Sequence, residues 1–323
     1  MKALILGGAG MVGRNLALRL VADGALGGQP VEHLTLFDVV PADVPGNDRV
    51  TVEARTGDIS DPDTVAALVA ERPDVIFHLA AIVSGEAEAD FDKGYRINLD
   101  GTRYLFEAIR AIGDYHPRVV YTSSIAVFGA PFPDAIGDEF ITQPMTSYGV
   151  QKMIGELLLN DYSRRGIFDG IGIRLPTIVV RPGKPNKAAS GFFSGIIREP
   201  LAGLDAVLPV DDDVMHWMAS PASATGFLLH AATMDTSALG ARRNLTMPGI
   251  AITVGEMIEA LGEVAGPEAV VRIKRQPDAT IRGIVAGWPR NFDPARAVEY
   301  GFTADANFQD IIRAHIRDMA AAG

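Results

Sequence analysis

The chain contains no cysteine among its 323 residues, which excludes disulfides, zinc–thiolate sites and thiol nucleophiles together. It also contains no block of consecutive basic residues, and its net charge is −11. The electrostatic footprint of a DNA- or RNA-binding surface is therefore missing, and nucleic acid is not expected as a partner. No apolar stretch approaches the ~18 residues that a bilayer-spanning helix needs. The opening run Ala3-Leu4-Ile5-Leu6 ends at Gly7, too early for the apolar region of a secretory signal. No membrane role is expected, and the cytoplasm is the expected compartment. A metal is not expected either: the acidic run Asp211-Asp212-Asp213 has no second ligand cluster, and adjacent carboxylates on a turn are usually a solvated loop.

What is present is a core-forming composition, 48% hydrophobic and 21% charged, which excludes a disordered or fibrous chain. Short apolar runs alternate with helical periodicity: strands near residues 3–6, 34–37, 75–79, 119–122 and 170–175, and helices near 12–22, 62–71, 94–112 and 148–165. Strands apolar on both faces and separated by helices form a parallel sheet covered on both sides. The predicted fold is α/β, a doubly wound (Rossmann) sheet over residues 1–175. A smaller α/β lobe is expected over 176–323, where Pro and Gly punctuate shorter elements, with some segments returning to the sheet.

Two local patterns carry chemistry. Gly7, Gly10 and Gly13, with Met11 and Val12 between the last two, follow the first strand and open the first helix. This spacing suits a tight turn, close approach of backbone to a pyrophosphate and close helix packing, with free N–H groups directed at the phosphates. Asp38 ends the second strand, where a carboxylate accepts bonds from ribose hydroxyls and repels a 2′-phosphate, favouring NAD over NADP. Tyr148 and Lys152 stand one helical turn apart, so the ammonium can favour the phenolate that a general base requires.

Taken with Gly57-Asp58-Ile59, His78-Leu79-Ala80-Ala81, Asn98 in Asn98-Leu99-Asp100-Gly101-Thr102, and Ser123-Ser124-Ile125-Ala126-Val127-Phe128-Gly129, these motifs resemble the extended short-chain dehydrogenase/reductases, which include nucleotide-sugar epimerases and dehydratases. The resemblance covers nearly the whole chain. It implies that Asp58 bonds the adenine amine beside Ile59, that Leu79, Ala80 and Ala81 line the nicotinamide side, and that Asn98 supports the active-site water network. Pro176 is counted with the cofactor-binding residues. The resemblance makes Ser124, Tyr148 and Lys152 the catalytic set, with Ser123 as the competing serine. Tyr148 would take the hydroxyl proton, Lys152 would lower its pKa and hold the nicotinamide ribose, and Ser124 would stabilise charge on the reacting oxygen. Phe128 stands where such proteins usually carry a tyrosine. Their dimers pack the helices that carry Asn98 and Tyr148, so a homodimer is expected, with Leu105, Phe106, Leu157 and Leu158 as candidate contacts, although the same residues also suit packing onto the sheet.

The substrate follows from the second lobe. Nucleotide-sugar members carry a diphosphate-gripping arginine there, whereas this chain reads Met215-His216-Trp217-Met218-Ala219-Ser220-Pro221-Ala222. A smaller molecule is expected. The stretch 174–195 and Trp288-Pro289-Arg290 are similar to members that oxidise C2 of a four-carbon sugar acid with NAD. Arg181, Lys187 and Arg290 offer cations for a carboxylate, and Ser84, Ser124, Thr177 and Ser190 offer hydroxyl partners for a polyol. A nucleotide-sugar epimerase or dehydratase, a uronate dehydrogenase and a non-catalytic NAD-binding regulator are the alternatives.

Overall fold

A computed structural model describes residues 1–183 and 189–322. The chain divides into two compact units, and the division is not a single cut at residue 175. The first unit holds Met1–Val127, Thr142–Leu175 and Ala224–Met247, and the second holds Phe128–Ile141, Pro176–Ser223 and Pro248–Gly323.

The first unit is built on seven parallel strands: β1 (Lys2–Leu6), β2 (His33–Asp38), β3 (Thr51–Thr56), β4 (Val75–His78), β5 (Arg118–Ser124), β6 (Asp169–Leu175) and β7 (Asn244–Thr246). They lie in the order β7-β6-β5-β4-β1-β2-β3. The chain winds outward in both directions from the β1/β4 pair, where Leu6 aligns with His78 on one side and Phe37 on the other. The crevice beyond the strand ends at such a reversal is where doubly wound sheets bind ligands. The central strands are buried on both faces, which explains their uninterrupted apolar runs. Edge strand β3, Thr51-Val-Glu-Ala-Arg-Thr, is mostly exposed, and this is why it lacks such a run.

Helix starts follow from local chemistry. Helix α1 (Met11–Asp23) springs from the glycine turn. Ahead of α2 (Pro62–Ala70), Asp61 accepts the Asp63 N–H at 3.2 Å and the Thr64 hydroxyl at 2.5 Å, and Pro62 occupies the first turn, where no N–H is needed. The segment expected as one helix over 94–112 is instead a short turn at Phe91–Gly94, a π-helical turn at Tyr95–Asp100, and α3 (Gly101–Ala111). Such π turns interrupt helices most often at functional positions. Leu105 and Phe106 on α3 are fully buried in this unit's own core, beside Tyr162 and Phe168, so they are core residues rather than exposed contacts. Helix α4 (Ser147–Arg164) is capped by the Thr146 hydroxyl, which accepts the Gly149 N–H at 3.1 Å.

The second unit has its own core, including Phe193, Ile196, Met218, Met257, Leu261 and Phe308. A three-stranded sheet joins Thr177–Ile178, Met215–Ala219 and Ile250–Thr253. The acidic run forms ion pairs, Asp211 with Arg282 at 2.5 Å and Asp212 with Arg275 at 2.6 Å. Among the described residues no helix is long and apolar enough to cross a membrane, and no cluster of three or more metal-ligating side chains occurs.

Candidate active site

The glycine turn, Asp38, Leu79, Ser124 and α4 all gather at the carboxyl ends of the first unit's strands. Gly7 and Gly8 donate to the Phe37 carbonyl at 2.8 and 3.1 Å, which ties the turn to β2. A Cβ on Gly13 would stand 2.1 Å from the Gly7 carbonyl oxygen, so only glycine lets α1 start this close to the turn. No side chain caps the helix at Gly10, and Met11 and Val12, both half-buried, begin it. Asp38 Oδ2 accepts the Ala9 N–H at 3.0 Å and Oδ1 accepts the Val39 N–H at 2.7 Å. Each oxygen keeps lone pairs for a further donor, so the carboxylate can hold the turn and still receive two ribose hydroxyls. This turn, an open helix start beside a carboxylate, fits a dinucleotide.

After β3, Asp58 accepts the backbone N–H and hydroxyl of Ser60 at 2.8 and 2.6 Å and pairs with Arg96 at 2.8 Å. Burial pushes its pKa up, but the Ser60 hydrogen bonds and Arg96 outweigh this and hold it below the ordinary carboxylate range. Ile59 is buried against Gly101. After β4, Leu79, Ala80 and Ala81 are half-buried, and Leu79 donates to the Leu6 carbonyl at 2.8 Å. Asn98, in the π-helical turn and 1% exposed, accepts the Ile82 N–H at 2.9 Å and donates to the Ile82 carbonyl at 3.2 Å and the Gln151 side chain at 2.8 Å. It thus ties the loop after β4 to α4.

The two serines that end β5 have different surroundings. Ser123 is buried and donates to Glu156 at 2.5 Å. Ser124 is half-buried, and its hydroxyl oxygen accepts the Ala126 N–H at 3.1 Å. On α4, Tyr148 is half-buried and Lys152 is buried. Lys152 Nζ donates to the Thr122 carbonyl at 2.8 Å and lies 5.8 Å from the Tyr148 ring and 5.0 Å from the Tyr121 ring. Gly149 permits this arrangement: a Cβ there would be 2.2 Å from the Ala126 carbonyl oxygen, on the turn just after Ser124. The ammonium, the phenol and the Ser124 hydroxyl are thereby held on one small patch of α4 and β5, an arrangement able to move a proton and to stabilise charge on an oxygen.

Electrostatics on this patch are dominated by burial. Burial lowers the Lys152 pKa to about 8, opposed by the Glu156 carboxylate. His78, whose Nε2 is 2.8 Å from the Thr102 hydroxyl, is pushed down to about 3 by burial and by the Lys152 charge, so it is neutral. Tyr121 is pushed up by burial, with Glu156 and Tyr148 adding to the effect. Glu156 and Gln151 had no role in the expectations from sequence, and His78 entered them only as part of a motif. A signal existed for Glu156: it follows Lys152 by four residues and Tyr148 by eight, the same helix face.

Of the residues expected to meet the substrate, Ser84 is exposed at the start of a short helix in the first unit. Ser124 belongs to the first unit as well, whereas Thr177, Arg181, Ser190 and Arg290 lie in the second. Thr177 Oγ1 is 2.6 Å from His216 Nε2. His216 stacks on Phe193 with ring centroids 5.2 Å apart, and burial lowers its pKa to about 4. It is a packed, neutral ring. Arg181 donates from Nε to the Ile178 carbonyl at 3.0 Å, and its N–H reaches the Ser194 hydroxyl at 3.0 Å. Ser190 precedes the helix Gly191–Leu201, Arg290 is exposed and Pro176 is buried. Lys187 lies outside the described residues. Met218 and Ala219, in the segment where a diphosphate-gripping arginine is missing, are fully buried in a strand.

Over its whole length the chain is 47% identical to a D-erythronate dehydrogenase of Cupriavidus necator, with both chains covered completely. It is 42% identical to the D-erythronate dehydrogenase of Haemophilus influenzae, over 98% of this chain and 99% of that one. A crystal structure described as a nucleoside-diphosphate-sugar epimerase from Agrobacterium tumefaciens superposes with a TM-score of 0.97 at 61% identity, covering 100% of this chain and 95% of that one. A GalE-like L-threonine dehydrogenase from Cupriavidus necator, 22% identical with a TM-score of 0.83 over 99% of this chain and 100% of that one, shares the fold. The model of the NAD dependent epimerase/dehydratase family matches residues 3–236, and with the glycine turn, the strand order and the Tyr148/Lys152 helix in place, the chain belongs to that family.

Proposed function

We propose that this protein is an NAD-dependent dehydrogenase that oxidises the C2 hydroxyl of a small sugar acid, D-erythronate, to 2-oxo-tetronate. The observation that carries the reading is the end-to-end similarity to two D-erythronate dehydrogenases, joined to a serine, a phenol and a buried ammonium on one patch. NAD, when bound, supplies the acceptor for the hydride that leaves C2. Tyr148 takes the proton from the C2 hydroxyl. Lys152, charged below about pH 8, stabilises the negative charge on the Tyr148 oxygen and holds the nicotinamide ribose. Ser124 donates to the reacting oxygen. Ser123 is an unsuitable candidate because its hydroxyl is buried on Glu156.

Asp38 receives the adenosine ribose hydroxyls and Asp58 the adenine amine, with Ile59 beside the ring. Gly7, Gly10, Met11, Val12 and Gly13 border the pyrophosphate, while Leu79, Ala80, Ala81, Asn98 and Pro176 border the rest of the dinucleotide. The substrate roles of Ser84, Thr177, Arg181, Lys187, Ser190 and Arg290 rest on their chemistry as cations and hydroxyls suited to a small acid. A homodimer through α4, using exposed Leu157, and a cytoplasmic location complete the reading.

The second reading, a nucleotide-sugar epimerase, is favoured by the description of the 61% identical structure. It returns the hydride to its substrate and accumulates no NADH. Incubation with NAD and a panel of tetronates, hexuronates and UDP-sugars, followed by NADH absorbance and product analysis, separates the two. NADH is expected with D-erythronate, and a changed UDP-sugar without NADH would overturn the first reading. Tyr148→Phe is expected to lower turnover by roughly 10²–10⁴-fold, the usual worth of a positioned acid–base group, with NAD binding retained. An active Tyr148→Phe enzyme would remove the mechanism.

A further inference from the structure

We infer that Glu156 is a positioning residue for this chemistry: it locks the serine end of β5 to the Tyr148/Lys152 helix and supplies the countercharge beneath Lys152. The inference rests on the reading above that Tyr148 and Lys152 handle the proton.

The geometry is a buried clamp. Glu156 is 3% exposed. Oε1 accepts from Ser123 at 2.5 Å and from Arg174 Nε at 2.9 Å, and Oε2 accepts from Arg174 Nη2 at 2.7 Å. Ser123 adjoins Ser124, and Arg174 stands opposite Ser123 across the β5/β6 pairing. One carboxylate on α4 therefore grips the ends of two neighbouring strands. It does so one turn beyond Lys152 and two beyond Tyr148, on the same helix face. A two-pronged arginine–carboxylate pair is directional as well as strong, so it fixes the rotation of α4 over the sheet, and with it the spacing of Ser124 from Tyr148.

The charge has a second effect. The titratable groups facing Lys152 are His78 from β4, Tyr121 from β5, and Tyr148 and Glu156 from its own helix, while Arg174 from β6 faces Glu156. His78 is neutral, and burial keeps Tyr121 protonated. Glu156 is the nearby carboxylate that opposes the desolvation of the ammonium.

The test is the pH dependence of NADH formation by Glu156→Gln, which keeps acceptor and shape and removes the charge. Its alkaline decline is expected to move to lower pH than in the wild type, and Glu156→Asp, which restores the charge, should return it. If Glu156→Gln declines within about 0.2 pH unit of the wild type, while kcat is unchanged, the inference is overturned. Should Glu156→Gln fail to fold, Ser123→Ala tests the clamp alone: kcat is expected to fall several-fold with the alkaline decline unmoved, and a wild-type kcat would refute the positioning role. Failure of the underlying reading looks different, because Tyr148→Phe would then remain active or the wild type would form no NADH.

Discussion

Gly149→Ala adds one methyl group to the site, yet the structure makes it a severe test of how the catalytic residues are held. The new Cβ would sit 2.2 Å from the Ala126 carbonyl oxygen, 2.8 Å from Pro144 Cβ and 3.1 Å from the Ala126 carbonyl carbon. Real Cβ contacts essentially never fall below 3.0 Å, so the start of α4 and the turn after Ser124 must separate by at least about 0.8 Å. Two of the three obstructing atoms are backbone and cannot rotate away. The separation falls between Tyr148, which precedes Gly149, and Ser124, two residues before Ala126. Misplacing reacting groups by about 1 Å costs on the order of 10²-fold in rate, so kcat should drop roughly 10- to 100-fold. Overpacking should also cost about 1–3 kcal/mol of stability. The cofactor turn lies on other strands, so NAD affinity should change little. Steady-state kinetics, NAD titration and thermal unfolding measure the three effects. Gly226→Ala is the control, because its Cβ would meet nothing within 4 Å and should leave activity intact. A Gly149→Ala enzyme with wild-type kcat would refute the claim that this close approach sets the Ser124/Tyr148 geometry.

Lys152→Met should eliminate activity and stabilise the fold. The folded-state pKa of about 8, below the ordinary lysine value of 10.5, means the native state binds fewer protons than the unfolded chain between those values. Burying the charge at pH 7 therefore costs about 3 kcal/mol, from which roughly 1 kcal/mol for the bond to the Thr122 carbonyl must be subtracted; urea unfolding at pH 7 reads the net. The same lysine should make kcat/KM decline above about pH 8 as its charge is lost, which a pH–rate profile tests. His78 and His216, lowered by burial to about 3 and about 4, contribute stability that is complete above pH ~6.5 and is lost as the pH falls through the folded values. Chemical unfolding from pH 7 to 4 should show this loss, and replacing His216 with Phe should flatten it. Asp38→Ser should raise the KM for NAD about tenfold or more and narrow the preference over NADP, because it removes a carboxylate and weakens the hold on the Ala9 N–H; kinetics with both dinucleotides decide it.

Much of the molecule was legible in one dimension because its determinants are local. A glycine turn ending β1, an aspartate ending β2 and a Tyr-x-x-x-Lys helix each lie within a few residues of chain. The central strands announced themselves by being apolar on both faces. Edge strand β3 did not, since most of its residues face water. The single helix expected over 94–112 became a π-helical turn followed by α3, because helical periodicity does not separate a 3.6-residue turn from a wider one over six residues. Leu105 and Phe106 suited either a dimer contact or packing onto the sheet, and they are core, since periodicity marks a buried face without saying what buries it.

By itself the sequence determined the fold class, the family and the residue types available for chemistry, because these reside in short-range pattern and composition. Only the tertiary structure decided which serine is free of the interior, since Ser123 and Ser124 are neighbours in sequence and differ by a carboxylate 33 positions away. It alone joined Glu156 to Arg174, Asn98 to Gln151 and Thr177 to His216. The physical reason is the same each time. Hydrogen bonds and desolvation act over a few ångströms of space, and the partners that tune a lysine or orient a hydroxyl meet only after strands and helices far apart in the chain have packed together.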